Sequence, residues 1–126
     1  MTQLLAWQKG ITDFNSGRFW EAHHGWEQGW TGLSPPQKDY VQALIQSCAV
    51  FVHIDKGKPG PAHRLCTTAL LKLERVEPFI AQILPRIEIE GLGLLLKNIR
   101  QELSSGECDK DKVLNRAQAL RARLLV

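Results

Sequence analysis

The sequence of 126 residues has little of several features that mark whole classes of protein. It has only three cysteines, Cys48, Cys66 and Cys108, and they lie far apart. An odd number of widely spaced cysteines is typical neither of a disulfide framework nor of a zinc site. We therefore expect reduced thiols that pack as ordinary small side chains, and a cytoplasmic location.

Long apolar runs are also missing. No apolar segment approaches the roughly 18 residues that a membrane-spanning helix needs. Residues 1–14 lack the basic start, apolar run and small-residue cleavage site of a secretion signal. The sequence therefore predicts neither secretion nor a membrane as partner.

Charge of one sign is not in large excess. Sixteen lysines and arginines stand against thirteen aspartates and glutamates, for a formal net charge of +3, and the two signs are interspersed. A protein that follows a nucleic-acid backbone normally carries a concentrated basic patch or block. Nucleic acid is therefore not an expected partner. A Gly-rich phosphate loop and a nucleophile in a recognisable setting are lacking as well.

What the sequence has in abundance is helical periodicity. Leu4, Trp7, Ile11 and Phe14 recur at steps of four, four and three, which places them on one face of a first helix. The turn at residues 15–17 ends it. We interpret Asn15 and Gly17 within this turn as turn-forming residues.

The next two helices are expected to form an antiparallel hairpin. The second runs from about Phe19 to Trp30, and the third from about Pro35 to Lys56, with Ser34 as its cap. The third helix is apolar around most of its circumference, which predicts a position in the middle of a bundle.

The rest of the chain predicts further helices. A fourth covers about 61–76, and residues 77–91 are interpreted as a short helix and a linker, although 86–90 alternate as a strand would. One or two closing helices follow, the last capped by Asp109 and extending to residue 125. The predicted fold is an all-α bundle of about five to six helices, with the helix two and three hairpin at its centre, in a single domain over residues 1–126.

The segment Phe14 to Trp30, FNSGRFWEAHHGWEQGW, contains three of the four tryptophans. On a wheel of 100° per residue, one arc of helix two is predicted to face the core. His23 and Glu27 lie within this arc, four residues apart, so their side chains can meet. The arc also holds the expected aromatic lining, Trp20, Trp26 and Trp30.

A buried carboxylate needs polar partners, because leaving it unpaired costs several kcal/mol. Gln42, Gln46 and His53 lie on one stripe of helix three, and an antiparallel hairpin brings Glu27 near Gln42 and His23 near Gln46. The predicted polar cluster is His23, Glu27, Gln42, Gln46 and His53.

The segment Phe14 to Trp30 and the segment of residues 39–65, DYVQALIQSCAVFVHIDKGKPGPAHRL, together resemble the signature of the family known as domain of unknown function 309. The resemblance extends over about residues 10–75. It implies an all-α bundle and brings no established activity. The positions that carry it are Phe14, Asn15, Gly17, Glu21, His23, Glu27, Trp30, Gln42, Gln46 and His53.

Three interpretations of the polar cluster stay open. In the first interpretation, the cluster is a hydrogen-bond network that specifies the fold, or a pocket for a small ligand. Alternatively it is the site of a general-base or metal-dependent hydrolase-type enzyme, in which His23, Glu27 and His53 are the candidate ligands of a divalent metal. In a third interpretation the protein is an interaction module or a homodimer, whose apolar patches would be Trp7 and residues 92–96.

Overall fold

The protein is described here from a computed structural model, which covers residues 2–126. Six helices dominate it, and two strands of four residues each complete it, so the all-α class is confirmed. The helices are α1 (Gln3–Asn15), α2 (Phe19–Gln28), α3 (Gln37–Asp55), α4 (Pro59–Val76), α5 (Leu92–Ser105) and α6 (Lys110–Ala119). A 3₁₀ segment covers Glu77–Gln82, and the strands are β1 (Arg86–Ile89) and β2 (Ala122–Leu125).

Glycine lets α1 and α2 approach each other closely. A Cβ atom on Gly10 would overlap the indole of Trp26, and a Cβ atom on Gly25 would lie 3.6 Å from the Cα atom of Gly10. The Trp26 indole N–H donates to the carbonyl of Trp7 over 3.2 Å. Trp7 is therefore a core residue with no exposed surface, and the interpretation of its side chain as a surface patch is wrong.

The central position predicted for the third helix is also observed, since α3 packs against α2, α4 and α6. Its start differs from the prediction. Pro36 occupies the N-cap, the helix begins at Gln37, and no side chain caps it, so Ser34 is not the cap. Pro35 precedes another proline, a position that disfavours helical backbone, and the helix therefore begins only after Pro36.

The C-terminus is a strand where a helix was expected. β2 pairs with β1 in antiparallel register, with Ile87 opposite Leu124 and Ile89 opposite Ala122. Ile87, Ile89 and Ala122 are buried on the core side. The segment 77–91 thus contains the expected short helix, of 3₁₀ type, followed by a strand in place of the linker. Asp109 does cap α6, accepting from the Lys112 N–H at 3.1 Å.

Buried apolar residues from all six helices and both strands form one continuous cluster. Burial of such a core drives folding, at roughly 25 cal/mol for each Å² of apolar surface removed from water. Among residues 2–126, no helix combines the length and the apolar character needed to cross a membrane.

Candidate functional site

An open cleft lies where α2 faces α3. Its volume is about 260 Å³, and Ile45, Ala49 and Leu65 contribute apolar surface to it. Four polar residues of the predicted cluster share this cleft with them, and Trp30 forms a further part of the wall. We call this the polar cleft; its residues are His23, Glu27, Trp30, Gln42, Ile45, Gln46, Ala49 and Leu65.

Helical spacing explains why these side chains meet. His23 and Glu27 are one turn apart on α2, as Gln42 and Gln46 are on α3, and residues four apart share a helix face. Nε2 of His23 lies 3.3 Å from Oε1 of Glu27. The small Ala49 lies one further turn along α3, so no large side chain fills the cleft from that position.

The buried face of α2 differs from the predicted arc. Phe19, Ala22 and Trp26 form the buried stripe, whereas Trp20 is 57% exposed and the Glu27 side chain is 49% exposed. The predicted arc was centred on the aromatic residues of α2. In the structure a small residue of α2, Gly25, faces α1, because its size permits a close approach of the two helices. The expectation of a buried Glu27 is therefore wrong, and its carboxylate lies at the rim of the cleft.

The three tryptophans have separate positions. Trp20 stacks on the His23 ring, with centroids 5.5 Å apart, and is largely exposed. Trp26 is buried against Phe14 and does not line the polar cleft. Trp30 does line it, and its indole N–H donates to the carbonyl of Lys38 at 3.2 Å.

Two polar atoms in this region are buried without a partner in the part of the chain that the structure describes. They are Nδ1 of His23 and Oε1 of Gln46. Leaving a buried polar atom unpaired costs about 1–3 kcal/mol. The two glutamines make no side-chain hydrogen bond to His23 or Glu27 over residues 2–126, in contrast to a network in which every group is satisfied.

His53 is remote from these residues. It lies seven positions after Gln46 on α3, which corresponds to about 10 Å along a helix, and it does not line the polar cleft. Burial lowers the pKa of His53, and the cations Lys58, Lys56 and Arg64 lower it further. Its Nδ1 atom is also buried without a partner among the described residues.

The proposed metal ligands are consequently not brought together. Residues 2–126 contain no group of three or more histidine, cysteine, aspartate or glutamate side chains arranged to hold a metal ion. His23 and Glu27 form a pair without a third ligand of this kind, whereas protein zinc sites use three or four ligands. The geometry gives the metal hypothesis no support.

Three further residues that carry the family resemblance, Asn15, Gly17 and Glu21, lie outside the polar cleft. The Asn15 side-chain amide makes two hydrogen bonds to the backbone of Ala122 in β2, so its role is more than the turn chemistry that was expected. Gly17 has a φ of +77°, a left-handed conformation that glycine adopts readily, consistent with its predicted turn. Glu21 lines a second, larger cleft.

Sequence reasoning did not find this larger cleft, which has a volume of about 540 Å³. The start of α2, the end of α3 and α6 border it, so it depends on contacts between distant segments. The Lys56 ammonium lies 5.7 Å from the centroid of the Trp20 ring. The charged residues that line it are Arg18, Glu21, Asp55 and Lys56.

Comparison with known proteins gives a match to a family model. The model of the family described as Domain of unknown function (DUF309) matches residues 7–65. Curated proteins and solved structures give no significant match. All eight residues of the polar cleft fall within the matched segment.

Proposed function

We propose that this chain, whose residues 7–65 match the model of the domain of unknown function 309 family, is a small-molecule-binding protein whose ligand occupies the polar cleft. The observation that carries the proposal is the pair of unpartnered polar atoms, Nδ1 of His23 and Oε1 of Gln46. Both belong to residues that line an open cleft. A ligand that bonds to these atoms would remove the cost of leaving them unpaired.

The chemistry of the two atoms indicates what the ligand must offer. A carboxylate only accepts hydrogen bonds, so Oε1 of Glu27, 3.3 Å from Nε2 of His23, favours the neutral tautomer with its proton on Nε2, in which Nδ1 is an acceptor. The carbonyl oxygen of Gln46 is also an acceptor. The favoured ligand therefore donates hydrogen bonds, as an amine or an amide does.

Charge and size restrict the ligand further. Glu27 is the only residue of the cleft lining that carries a formal charge when histidine is neutral, and this favours a cationic over an anionic ligand. The volume of about 260 Å³ lies just below the range of roughly 300–1,000 Å³ of typical ligand pockets. A small primary amine or amide with an apolar body, which would rest on Ile45 and Leu65, fits these limits.

Binding requires a local movement. Both acceptor atoms are buried, so the His23 ring and the Gln46 side chain have to rotate before a ligand can reach Nδ1 and Oε1. Gln46 is only partly buried as a residue, which leaves room for that rotation. The lining contains no serine, threonine, cysteine or lysine nucleophile, so binding is proposed in preference to covalent catalysis by such a residue.

Benzylamine, benzamide and benzoate test the proposal, because they share one ring and differ in the polar group. Each is titrated into ¹⁵N-labelled protein, and the side-chain amide signals of Gln42 and Gln46 are followed. We expect benzylamine and benzamide to shift the Gln46 signals, and benzoate to leave them unchanged. A result in which none of the three shifts these signals, or benzoate binds as well as benzylamine, would contradict the proposal.

Variants make the test specific. Gln46→Leu removes one acceptor at similar size and, followed on the remaining Gln42 signals, should weaken both positive probes by about tenfold for one lost hydrogen bond. Glu27→Gln should weaken benzylamine and leave benzamide unchanged. Gln118→Leu, in the larger cleft, is the matched control; equal losses in Gln118→Leu and Gln46→Leu would place the binding site elsewhere.

A further inference from the structure

A second groove, independent of the polar cleft, runs between α4 and α5. Its volume is about 350 Å³, and leucine, isoleucine and valine side chains make up much of its surface. Except for Tyr40, its residues follow the segment that matches the family. The groove residues are Tyr40, Leu70, Leu71, Leu73, Glu74, Val76, Glu77, Ile80, Gly93, Lys97 and Arg100.

The two helices that border the groove are antiparallel. Nε2 of His63, near the start of α4, lies 3.0 Å from Oγ of Ser104, near the end of α5. The late part of α4 therefore lies beside the early part of α5, where the groove opens. The groove residue Leu71, on α4, is 55% exposed, so an apolar side chain is open to solvent here.

The edges of the groove carry opposite charges. Glu74 and Glu77 lie on the α4 side, and Lys97 and Arg100 lie on the α5 side. Within the described part of the chain, none of these four forms an ion pair within 4.0 Å, although the nearby Arg75 does so with Asp39. The structure thus has an apolar groove with one acidic edge and one basic edge, both unpaired.

We propose that this groove is the interface of a homodimer, with a two-fold axis parallel to the groove. Rotation about such an axis places the acidic edge of one protomer over the basic edge of its partner, and the reverse contact follows by symmetry. A two-fold axis that lies in the interface and runs across the groove would instead place each edge over the edge of the same charge in the partner. The charge pattern therefore selects the axis parallel to the groove. The exposed Leu71 of each protomer would pack in the apolar centre, beside the other aliphatic side chains of the groove.

A second copy is favoured over a different protein because the surface is complementary to itself. A two-fold interface requires each patch to carry both halves of every contact, and here the two charge signs are present in equal number on opposite edges. Complementary charges on a rim set orientation and specificity, while buried apolar side chains provide most of the affinity.

Charge reversal followed by mixing tests this arrangement. The variant Glu74→Lys/Glu77→Lys has two basic edges, and the variant Lys97→Glu/Arg100→Glu has two acidic edges. By light scattering coupled to size-exclusion chromatography, we expect a dimeric wild type and two monomeric variants. An equimolar mixture of the variants should restore a dimer, because basic edges then meet acidic edges.

Two controls keep the result interpretable. The variant Glu90→Lys/Glu107→Lys changes the net charge as much as the first variant but lies outside the groove, and it should remain dimeric. Far-ultraviolet circular dichroism establishes that each variant is folded. A wild type that stays monomeric at millimolar concentration, dimeric single variants, or a mixture that contains no heterodimer would each overturn the proposal. A monomeric wild type would leave a different partner as the occupant.

Discussion

The side-chain amide of Asn15 pairs with the backbone of Ala122, 107 residues later in the chain. Its Nδ2 donates to the Ala122 carbonyl over 3.0 Å, and its Oδ1 accepts from the Ala122 N–H at 2.7 Å. One side chain at the end of α1 thus binds both polar groups of the first residue of β2. The Asn15 side chain thus connects residues 7–65, which match the family model, to the C-terminus, which lies outside the matched residues.

Replacement of Asn15 by alanine should destabilise the protein by about 1–3 kcal/mol, because two partly buried backbone groups lose their partner. Urea unfolding measures the change. Hydrogen exchange at the Ala122 amide should accelerate more than exchange in α3. Asn115→Ala, which removes an exposed amide from α6, is the control; an equal loss in both variants would contradict a specific role for Asn15.

Asp13 should make stability depend on acid pH. Burial raises the pKa of this carboxyl, but hydrogen bonds from Arg18 and Lys9 outweigh burial and hold the pKa below its ordinary value of 3.8. The stabilising contribution is therefore complete above about pH 4 and is lost as the pH falls through the lowered pKa. Asp13→Asn should remove this part of the acid dependence.

The measurement is urea unfolding of wild type and Asp13→Asn between acid and neutral pH. At neutral pH the variant should be less stable by about 2 kcal/mol, typical of hydrogen bonds to a charged group, and the two curves should converge in acid. The pKa of Glu88 is lowered as well, by its hydrogen bond from Arg123, so the difference between the curves is the informative quantity. A difference independent of pH would refute this role of Asp13.

Gly10→Ala should cost about 1–3 kcal/mol, the range for overpacking a filled interior. The new methyl group would overlap the Trp26 indole, which is buried and holds a hydrogen bond to Trp7. Thermal unfolding and the tryptophan emission spectrum report the change. Gly60→Ala is the matched control, since a Cβ atom there meets only Arg64 Nη1, at 3.7 Å, and it should leave the stability unchanged or slightly higher.

The thiols should differ in their reactivity. Burial raises the pKa of Cys66 to about 12 and raises that of Cys48 as well, so both should resist alkylation in the folded protein. Cys108 is only partly buried. Iodoacetamide at mildly alkaline pH, with mass-spectrometric counting, should modify Cys108 first, and all three thiols only after unfolding. Early modification of Cys48 would contradict the packing around α3.

The positions of the first four helices were predictable because their signals are local. Apolar spacing identifies a helix face, and glycine and proline mark the ends, as at residues 15–17 and 57–59. The pairing of His23 with Glu27, and the meeting of α2 with α3, also follow from spacing and a short loop. A helix wheel, however, cannot show which face another helix will cover.

Tertiary contacts decided the remaining features. Because small residues of α2 pack against α1, Trp20 and Glu27 lie at the surface. An open cleft is therefore present where a buried cluster was expected. The strand β2 exists because β1 and Asn15 supply partners from distant parts of the chain. The α4 and α5 groove likewise depends on two segments that meet only after folding. The sequence by itself determined the first four helices, because helical hydrogen bonds join near neighbours in the chain. Only the tertiary structure decided that the C-terminus forms a strand and which polar side chains are exposed, because strand pairing and burial depend on residues far away in the chain.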